Sequence, residues 1–208
     1  GANHEPIDPV RFIGNRSSGK MGYAIAYEAL LRGATVTVIT GPAEVQPPVQ
    51  STVIQVQTAQ EMHDAVMERL PTADVIIGAA AVSDYRVDNP ATQKQKRNGS
   101  GMHLDLTENP DIIAAVGAGK KPSQLVVGFA AETNDLIANA QSKLKKKNLD
   151  MIVANTVGTE NSGFGAETTD ARFLLADGSI EEHPIMKKSE LAEKLMTRIV
   201  DLLVSKAD

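Results

Sequence analysis

The sequence predicts an α/β domain, with a doubly wound, mainly parallel sheet and an antiparallel hairpin extension. Three observations support this prediction. Apolar runs of strand length alternate with segments of helical periodicity, the pattern of βαβ units in a parallel sheet. Aromatic residues make up only 3% of the 208 residues, so the core must use Ala, Val, Ile and Leu, which suit buried strands. Near the C-terminus, Asp177-Gly178 joins two strand-like runs, a strong hairpin signal.

The first elements follow from periodicity and from start and stop signals. A helix is predicted through "GKMGYAIAYEALLR", with Gly33 as its C-terminal stop. Residues 34–40, "ATVTVIT", are predicted as a strand, and a short strand is expected at 53–56. Thr58 and Glu61 form a capping box, which predicts that "AQEMHDAVMERL" is a helix.

The middle of the chain contains the most apolar predicted strand. Residues 73–82, "ADVIIGAAAV", are nearly all apolar, so we expect this strand at the centre of the sheet, covered on both faces. An alternating strand, "MHLDL", is predicted at 102–106. Asn109 is predicted as an N-cap and Pro110 as the first helical residue, so "PDIIAAVGA" should form a short helix.

The remaining elements complete the alternation. Residues 124–132 and 149–155 are predicted as buried strands, and 135–148 as a helix whose lysines crowd its C-terminal end. A final helix is predicted to start at Ser189, after the hairpin. In doubly wound sheets, ligands bind beyond the carboxyl ends of the strands, where the strand order switches. Functional residues are therefore expected there.

Composition excludes several classes of function. The chain has no cysteine, which excludes disulfides, zinc-thiolate sites and a thiol nucleophile and fits a cytoplasmic protein. A net charge of -5 with interspersed charges gives no field suited to nucleic acid. No run approaches the length of an apolar membrane span, so no membrane partner is expected. The histidines show no metal-ligand spacing; they are His4, His63, His103 and His183.

The stretch "GNRSSGKM" at residues 14–21 has the G-x-x-x-x-G-K spacing of a P-loop. Met21 stands where that motif needs a hydroxyl to hold magnesium, and the preceding segment is not a buried strand, so we reject a P-loop. Ser17, Ser18 and Gly19 would still expose backbone N–H groups at a helix start, which favours an anion site. A plain serine-capped helix is the equal alternative.

Two further patterns at predicted strand ends leave alternatives open. Gly19 and Gly22 open a helix in a βαβ setting, but the G-x-G-x-x-G fingerprint and its acidic ribose ligand are missing. An NAD(P)-binding oxidoreductase is therefore the weaker alternative function. In "GAAAVSDYR", small residues would let a flat ring approach the backbone, with Asp84 and Arg86 just beyond. A solvated turn is the other interpretation.

Two basic segments are equally open. The run "QKQKRNGSG" at 93–101 is either a mobile flap that brings charge to a phosphate or a solvated loop. Lys143 and Lys147 are four residues apart on one helical face. They either meet one polyanion or simply complement the helix dipole.

Five stretches, taken in order, resemble one enzyme family. They are "EPIDPVRFIGNRSSGKMGYAIA", "GAAAVSDYR", "ENPDI", "VVGFAAET" and "KKKNLDMIVAN". Together they are similar to phosphopantothenate–cysteine ligase, also called phosphopantothenoylcysteine synthetase, of the bacterial CTP-dependent type, over most of the chain. The resemblance implies a Rossmann-like fold, a homodimer, and the joining of 4′-phosphopantothenate to L-cysteine in coenzyme A biosynthesis. It also implies CTP and Mg²⁺, an acyl-cytidylate intermediate, and the release of CMP and pyrophosphate.

The resemblance has consequences for domain organisation. In many bacteria the ligase is the C-terminal half of a bifunctional protein whose N-terminal half is a flavin-dependent decarboxylase, so FMN would belong only to that fused half. The family has a first strand that ends in the glycine matching Gly1, and that strand is missing here. We expect residues 1–208 to form a single ligase domain, taken either from a monofunctional chain or from a bifunctional parent.

The resemblance also implies the site residues. Asn15 would contact the acyl-cytidylate carbonyl, Arg11 would lie near it, and Lys94 would stabilise charge as pyrophosphate leaves. The residues implied to bind nucleotide are Gly78, Ala79, Ala80, Asp84, Lys94, Asn109, Pro110, Asp111, Ile112, Ile113, Phe129, Lys143 and Lys147. The residues implied to bind substrate are Asn15, Ser17, Ser18, Gly19 and Ala81.

Two points of the implied site stay open. The family has Pro-Glu-Lys-Ile-Lys-Lys where this chain has "TQKQKR", so either Lys94 or Lys96 is the active-site lysine. The resemblance gives no protein ligands for magnesium, and we expect the triphosphate to hold most of the ion's coordination.

Overall fold

The computed structural model describes residues 1–97, 99, 101–132, 135–156 and 166–207. Three residues of segments discussed above lie outside the described residues. They are Asn98 and Ser100 of the run at 93–101, and Thr133 of "VVGFAAET".

The described chain alternates helices and strands as predicted. The helices are α1 (Lys20–Leu31), α2 (Ala59–Arg69), α3 (Ile112–Gly119), α4 (Leu136–Lys146) and α5 (Lys188–Ala207). The strands are β1 (Glu5–Pro6), β2 (Phe12–Ile13), β3 (Thr37–Thr40), β4 (Thr52–Gln55), β5 (Val75–Gly78), β6 (Tyr85–Val87), β7 (Leu106–Glu108), β8 (Leu125–Glu132), β9 (Met151–Thr156), β10 (Thr168–Leu175) and β11 (Ile180–Lys187).

The main sheet confirms the predicted fold class. Its strand order is β11-β10-β9-β8-β5. Strands β5, β8 and β9 are parallel, whereas β10 and β11 are antiparallel and form the hairpin extension. Gly178 in the hairpin turn has φ +92°, a conformation that favours glycine. Strands β3 and β4 form a separate parallel pair.

The sheet separates two apolar cores because successive strand residues point to opposite faces. Leu125 and Val127 of β8 belong to the core that includes α1 and α5. Val126 and Ala130, on the other face, belong to the core that includes α3 and α4. The domain therefore has helices on both faces of its sheet, as a doubly wound fold requires.

The predicted position of the apolar run at 73–82 is wrong. Its strand, β5, is paired only with β8 among the described strands and lies at the edge of the five-stranded sheet. Its residues are half-buried, whereas Leu125, Val126 and Val127 of β8 are fully buried. Hydrophobicity identified both runs as buried strands but carried no information about which strands they pair with, so it could not rank them within the sheet.

The predicted strand at 102–106 is also wrong. The strand there is β7, which starts at Leu106 and pairs antiparallel with β6. Met102, Leu104 and Leu106 are all exposed, so the alternating pattern does not mark a buried face. The strand forms only where the β6 backbone is available as a partner.

Helix α3 begins two residues later than predicted. Its N-cap is Asp111, whose carboxylate accepts a hydrogen bond from the backbone N–H of Ala114 at 3.1 Å. Asn109 is not a cap: its side-chain amide donates to the carbonyl of Ser83 at 2.9 Å. The Asn109 amide, which the local sequence predicted to cap α3, is thus used in a tertiary contact with Ser83 instead.

Other local signals are confirmed. Thr58 and Glu61 form both hydrogen bonds of a capping box at the start of α2. Gly33, just after α1, has φ +80°, as a C-terminal glycine stop requires. The remaining predicted helices and strands are present, with ends displaced by a few residues.

Candidate active site

The segment at 79–84 follows β5 at the carboxyl end of the parallel strands. Ala81 forms a parallel bridge with Ala2. The backbone N–H of Ser83 donates to the side-chain oxygen of Asn3 at 2.7 Å. The N-terminal segment thus supports one side of the 79–84 segment.

A buried carboxylate fixes Asn3 in turn. Glu5 is 1% exposed and accepts a hydrogen bond from the Asn3 amide. The same oxygen accepts from the backbone N–H of Ala59 at 2.7 Å, at the first residue of α2, where the helix dipole favours a negative charge. The 79–84 segment is therefore tied through two side chains to the start of a helix.

Asn15 contacts the same segment from the loop before α1. Its side-chain amide donates to the carbonyl of Val82 at 2.9 Å. This bond orients the amide nitrogen toward the end of β5 and leaves the side chain in an exposed position. Asn15 therefore contacts the segment that contains Ala81, the residue with which it is predicted to share a substrate site.

Asn109 contacts the segment from the strand on its other side. Besides the bond to Ser83, its backbone N–H donates to the carbonyl of Asp84 at 2.8 Å. The oxygen of its amide accepts from the Arg86 guanidinium at 3.4 Å. The predicted site residues Asn15, Ala81, Asp84 and Asn109 are thus brought together around one loop.

Two glycines let α3 approach the strand ends. Gly78 of β5 is paired with Gly128 of β8. A Cβ built on Gly78 would lie 2.9 Å from Cδ1 of Ile113, in the first turn of α3. The absence of a side chain at Gly78 therefore places α3 directly over the ends of the parallel strands.

The start of α3 also meets the end of α4. The Lys147 ammonium lies 2.9 Å from the carboxylate of Asp111, the N-cap of α3. Lys143 lies one helical turn earlier on α4. Two residues predicted to bind nucleotide, Asp111 and Lys147, are thus in direct contact, and the ammonium is directed toward the start of α3.

Phe129 and Ile113 do not share a face of the sheet. Phe129 packs with Ala79 against the core that includes α1 and α5. Ile113 packs against the core that includes α3 and α4. The predicted nucleotide residues therefore come from both faces and can meet only above the strand ends, beside the loop containing Ala80.

The loop before α1 does not have the geometry predicted for a P-loop. The N-cap is Gly19, with φ +79°, and the two serines before it contact the helix start: the hydroxyl oxygens of Ser17 and Ser18 accept from the backbone N–H groups of Gly19 and Lys20, each at 3.4 Å. Ser18 is buried. The Lys20 ammonium contacts the carboxylate of Glu167, and this hydrogen bond lowers the pKa of Glu167. Lys20 is thus directed toward the start of β10.

Arg11 lies in the turn between β1 and β2 and is paired with Asp8 at 2.6 Å. Its guanidinium also donates to the carbonyl of Gln95 at 3.2 Å, so it lies beside the backbone that follows Lys94. Within the described residues, no hydrogen bond or ion pair links Lys94 to Asn15 or to the 79–84 segment.

A family model matches nearly the whole chain. The model described as the DNA/pantothenate metabolism flavoprotein C-terminal domain, DFP, matches residues 1–203. The chain belongs to this family. The resemblance predicted from the five ordered stretches is thereby confirmed.

Relatives of this DFP domain include bifunctional proteins. The coenzyme A biosynthesis bifunctional protein CoaBC of Vibrio vulnificus (strain CMCP6) is 42% identical over 205 residues, which cover 98% of this chain and 51% of that protein. A cysteine/cysteine sulfinic acid decarboxylase from an unknown prokaryotic organism is 43% identical over 98% of this chain and 57% of that protein. The chain spans about half the length of the curated relatives it matches.

A solved structure covers the DFP domain almost completely. It is the crystal structure of the C-terminal domain of the coenzyme A biosynthesis bifunctional protein CoaBC. The TM-score is 0.83 at 38% identity, with 99% of this chain and 94% of that chain covered. The similarity thus extends over the whole fold, including the segment at 79–84.

Some contacts of this DFP domain were missed by sequence reasoning. Asn3, Glu5 and Asp8 each bond to the backbone of a distant segment. Only Asp8 had a local signal, because Asp-Pro in "IDPVR" is typical of a turn in which aspartate accepts backbone hydrogen bonds. Gly78 and Gly128 end the similar runs "VIIG" and "VVG", a repetition that indicates a close approach at paired positions.

Two features are absent from the residues that the structure describes. Among them, no three His, Asp or Glu side chains are grouped closely enough to hold a metal ion. Within the same residues, no helix has the length and apolarity needed to cross a membrane.

Proposed function

We propose that this domain is a phosphopantothenate–cysteine ligase. It joins 4′-phosphopantothenate and L-cysteine, converts CTP to CMP and pyrophosphate, and works through an acyl-cytidylate intermediate. The observation that carries this proposal is the 79–84 segment, held between Asn15 and Asn109 at the carboxyl end of β5. It occurs in a chain 38% identical to the C-terminal domain of CoaBC.

In this proposal, the nucleotide binds above the ends of β5 and β8. Gly78, Ala79 and Ala80 carry little or no side chain, so a flat cytosine ring can approach their backbone. Ile113 closes one side of this surface because it packs against Gly78. Phe129 lies on the other face of the sheet, so the two side chains bracket the strand ends.

The first half-reaction needs positive charge. The carboxylate of 4′-phosphopantothenate attacks the α-phosphorus of CTP, an O–P bond forms, and the bond to pyrophosphate breaks. Lys143, Lys147 and Lys94 would stabilise the charge on the phosphates. Lys147 is paired with Asp111, whose side chain is 51% exposed. A partly exposed pair contributes little stability, so phosphate can replace this carboxylate at low cost.

The second half-reaction needs a hydrogen-bond donor at the carbonyl. The amine of cysteine attacks the mixed anhydride, a C–N bond forms, and CMP leaves. The carbonyl oxygen carries negative charge during this attack. The Asn15 amide can donate to that oxygen without any change of protonation, and its bond to Val82 fixes its orientation beforehand.

The described residues fit a magnesium ion held mainly by substrate. Mg²⁺ usually binds proteins through one or two carboxylates, with phosphates and water completing its shell. The carboxylate of Asp84 stands in the segment beside the proposed nucleotide site, and the remaining ligands would come from the triphosphate. The ion would neutralise phosphate charge when bound.

The activity assay compares pyrophosphate release with and without each substrate. Release is expected only when CTP, magnesium and 4′-phosphopantothenate are all present, and the amide product, identified by mass, only when cysteine is added. No pyrophosphate under any condition would contradict the ligase proposal.

Thermal shifts test the oxidoreductase alternative, because a bound ligand stabilises the fold by mass action. A shift with NADPH and none with CTP would reverse the assignment.

The remaining features belong to the same proposal. The domain would be a cytoplasmic homodimer. Analytical ultracentrifugation can test whether it is a dimer in solution. In a bifunctional parent, a flavin decarboxylase half would carry FMN, and this domain would carry none of it. The bifunctional parent is supported by the comparison with CoaBC of Vibrio vulnificus, because this chain matches only 51% of that protein's length.

A further inference from the structure

The carboxylate of Asp8 is fully buried and satisfied by its own turn. Its side chain is 0% exposed. One oxygen accepts from the backbone N–H groups of Val10 and Arg11, both at 2.9 Å. The other accepts from the Arg11 guanidinium at 2.6 Å and 3.0 Å. The hydrogen-bonded guanidinium holds the pKa of Asp8 far below its usual range, so the pair stays charged at neutral pH.

The same pair reaches a segment more than eighty positions away. The backbone N–H of Gln95 donates to the Asp8 carboxylate at 3.2 Å. The carbonyl of Gln95 accepts from the Arg11 guanidinium at 3.2 Å. A second anchor lies four residues earlier, where the backbone N–H of Ala91 donates to the carbonyl of Ile7 at 2.9 Å.

These contacts hold the backbone of one loop but none of its side chains. The basic loop, defined as residues 91–97, carries Lys94 and Lys96 on either side of Gln95. Both lysines are exposed. Because the backbone N–H and carbonyl of Gln95 are both held, the backbone next to each lysine is restricted, whereas these contacts do not involve the lysine side chains.

We propose that Asp8 and Arg11 are positioning residues, a clamp that fixes the basic loop so that its lysine is placed for phosphate. The kinetic part of this inference rests on the proposed ligase function, whereas the clamp itself does not. The resemblance implied that Arg11 acts close to the reacting carbonyl. In the clamp, Nε and Nη2 of its guanidinium donate to Asp8 and Gln95, and Nη1 lies 4.0 Å from the sulfur of Met102, so Arg11 acts through the loop.

The physical advantage is a smaller loss of entropy on binding. A lysine on a free loop must order both the backbone and a long side chain when it meets phosphate. With the backbone already held, only the side chain must be ordered, and the charge is near its working position beforehand.

Native proteolysis tests the clamp without any substrate. Trypsin can cut after Lys94, Lys96 and Arg97, and cleavage of a folded protein follows local opening. In Arg11→Met, which keeps the apolar stem of a partly exposed side chain, cleavage at these three bonds should become about tenfold faster. Cleavage at other lysines should keep its rate. Mass spectrometry of the fragments identifies each bond.

Two further variants control the result. Gln95→Ala keeps the N–H and the carbonyl that the clamp holds, so the loop should be cut at the original rate. Asp8→Asn should accelerate cleavage as Arg11→Met does. If Arg11→Met melts lower yet its loop is cut no faster, the pair only stabilises the turn between β1 and β2, and the clamp is contradicted.

Kinetics then identify the lysine that the clamp serves. Lys94→Ala and Lys96→Ala are each combined with Arg11→Met, and pyrophosphate release is measured. Substitution of the working lysine should cost much less activity in the Arg11→Met background than alone, because both changes remove one interaction. Additive losses at both lysines would overturn the positioning role. If the unsubstituted protein releases no pyrophosphate, the ligase proposal fails, while proteolysis still decides the clamp.

Discussion

Asn15 illustrates what a single uncharged side chain can contribute to the proposed chemistry. Its amide nitrogen has two hydrogens, and one of them is used in the bond to the carbonyl of Val82. The other remains available for a developing oxyanion. Because this donor is neutral at all relevant pH values, it needs no tuning by its surroundings.

Replacing Asn15 tests this role directly. Asn15→Ala should slow amide formation on the order of 10²–10³-fold while slowing cytidylate formation much less. Single-turnover experiments with and without cysteine separate the two half-reactions. Asn89→Ala is the matched control, because Asn89 is exposed and, within the part of the chain that the structure describes, its side chain donates to the neighbouring Asp88. Equal losses in both half-reactions would indicate that Asn15 merely positions substrate.

At the scale of elements, the start of α3 brings predicted nucleotide-binding residues into contact. Its N-cap, Asp111, is paired with Lys147, and Ile113 in its first turn packs against Gly78. Its position depends on Gly117, where a built Cβ would lie 1.8 Å from the carbonyl oxygen of Lys147. The helix therefore touches the backbone at the end of α4 without an intervening side chain.

Gly117→Ala should destabilise the fold even though alanine favours helices over glycine by about 1 kcal/mol. The added methyl group collides with backbone that cannot rotate away, so we expect a loss of about 1–3 kcal/mol and a higher KM for CTP. Gly119→Ala is the control in the same helix, since its Cβ would meet the flexible side-chain ends of Leu70 at 3.2 Å and Met67 at 3.7 Å rather than backbone. Urea unfolding and initial rates measure both. Equal stability of the two variants would contradict the close approach.

For the whole molecule, Asp150 ties the C-terminal helix to the sheet. Its carboxylate lies 2.7 Å from the Lys120 ammonium and 2.8 Å from that of Lys206 in α5. It also accepts from the backbone N–H of Val126 in β8 at 2.8 Å. Burial alone would raise the pKa of Asp150, but these hydrogen bonds outweigh burial and lower it.

Asp150 should therefore make stability depend on pH in the acid range. A carboxyl whose folded pKa is lowered stabilises the fold above its unfolded pKa of about 3.9, and this contribution is lost as pH falls below that value. Asp150→Asn should lower stability at pH 7 by roughly 2 kcal/mol and flatten the decline below pH ~4. Denaturant unfolding measured from neutral to acid pH checks both effects.

The control for Asp150 is another aspartate, on the helix that carries Lys206. Asp201 is 60% exposed in α5, so Asp201→Asn should change stability little. Pyrophosphate release at pH 7 should be unchanged in both variants, because Asp150 stands at the amino ends of β8 and β9, away from the proposed site. A loss of activity without a loss of stability in Asp150→Asn would contradict a purely structural role.

The sequence by itself determined the elements whose signals are local. The capping box of α2, the glycine stop after α1 and the turn at Asp177-Gly178 each depend on neighbouring residues, so their patterns predicted them. The family could also be identified from sequence, because five motifs occur in order. The roles of Asn15, the lysines and the other site residues stay predictions.

Only the tertiary structure decided which elements are neighbours. An apolar strand must be buried, but its composition does not name its partners, so β5 was assigned to the centre and is at the edge. Asn109 was predicted to cap α3 but bonds to Ser83 instead, and Asp8 holds Gln95. These contacts join groups far apart in sequence, and their existence depends on packing that no local pattern encodes.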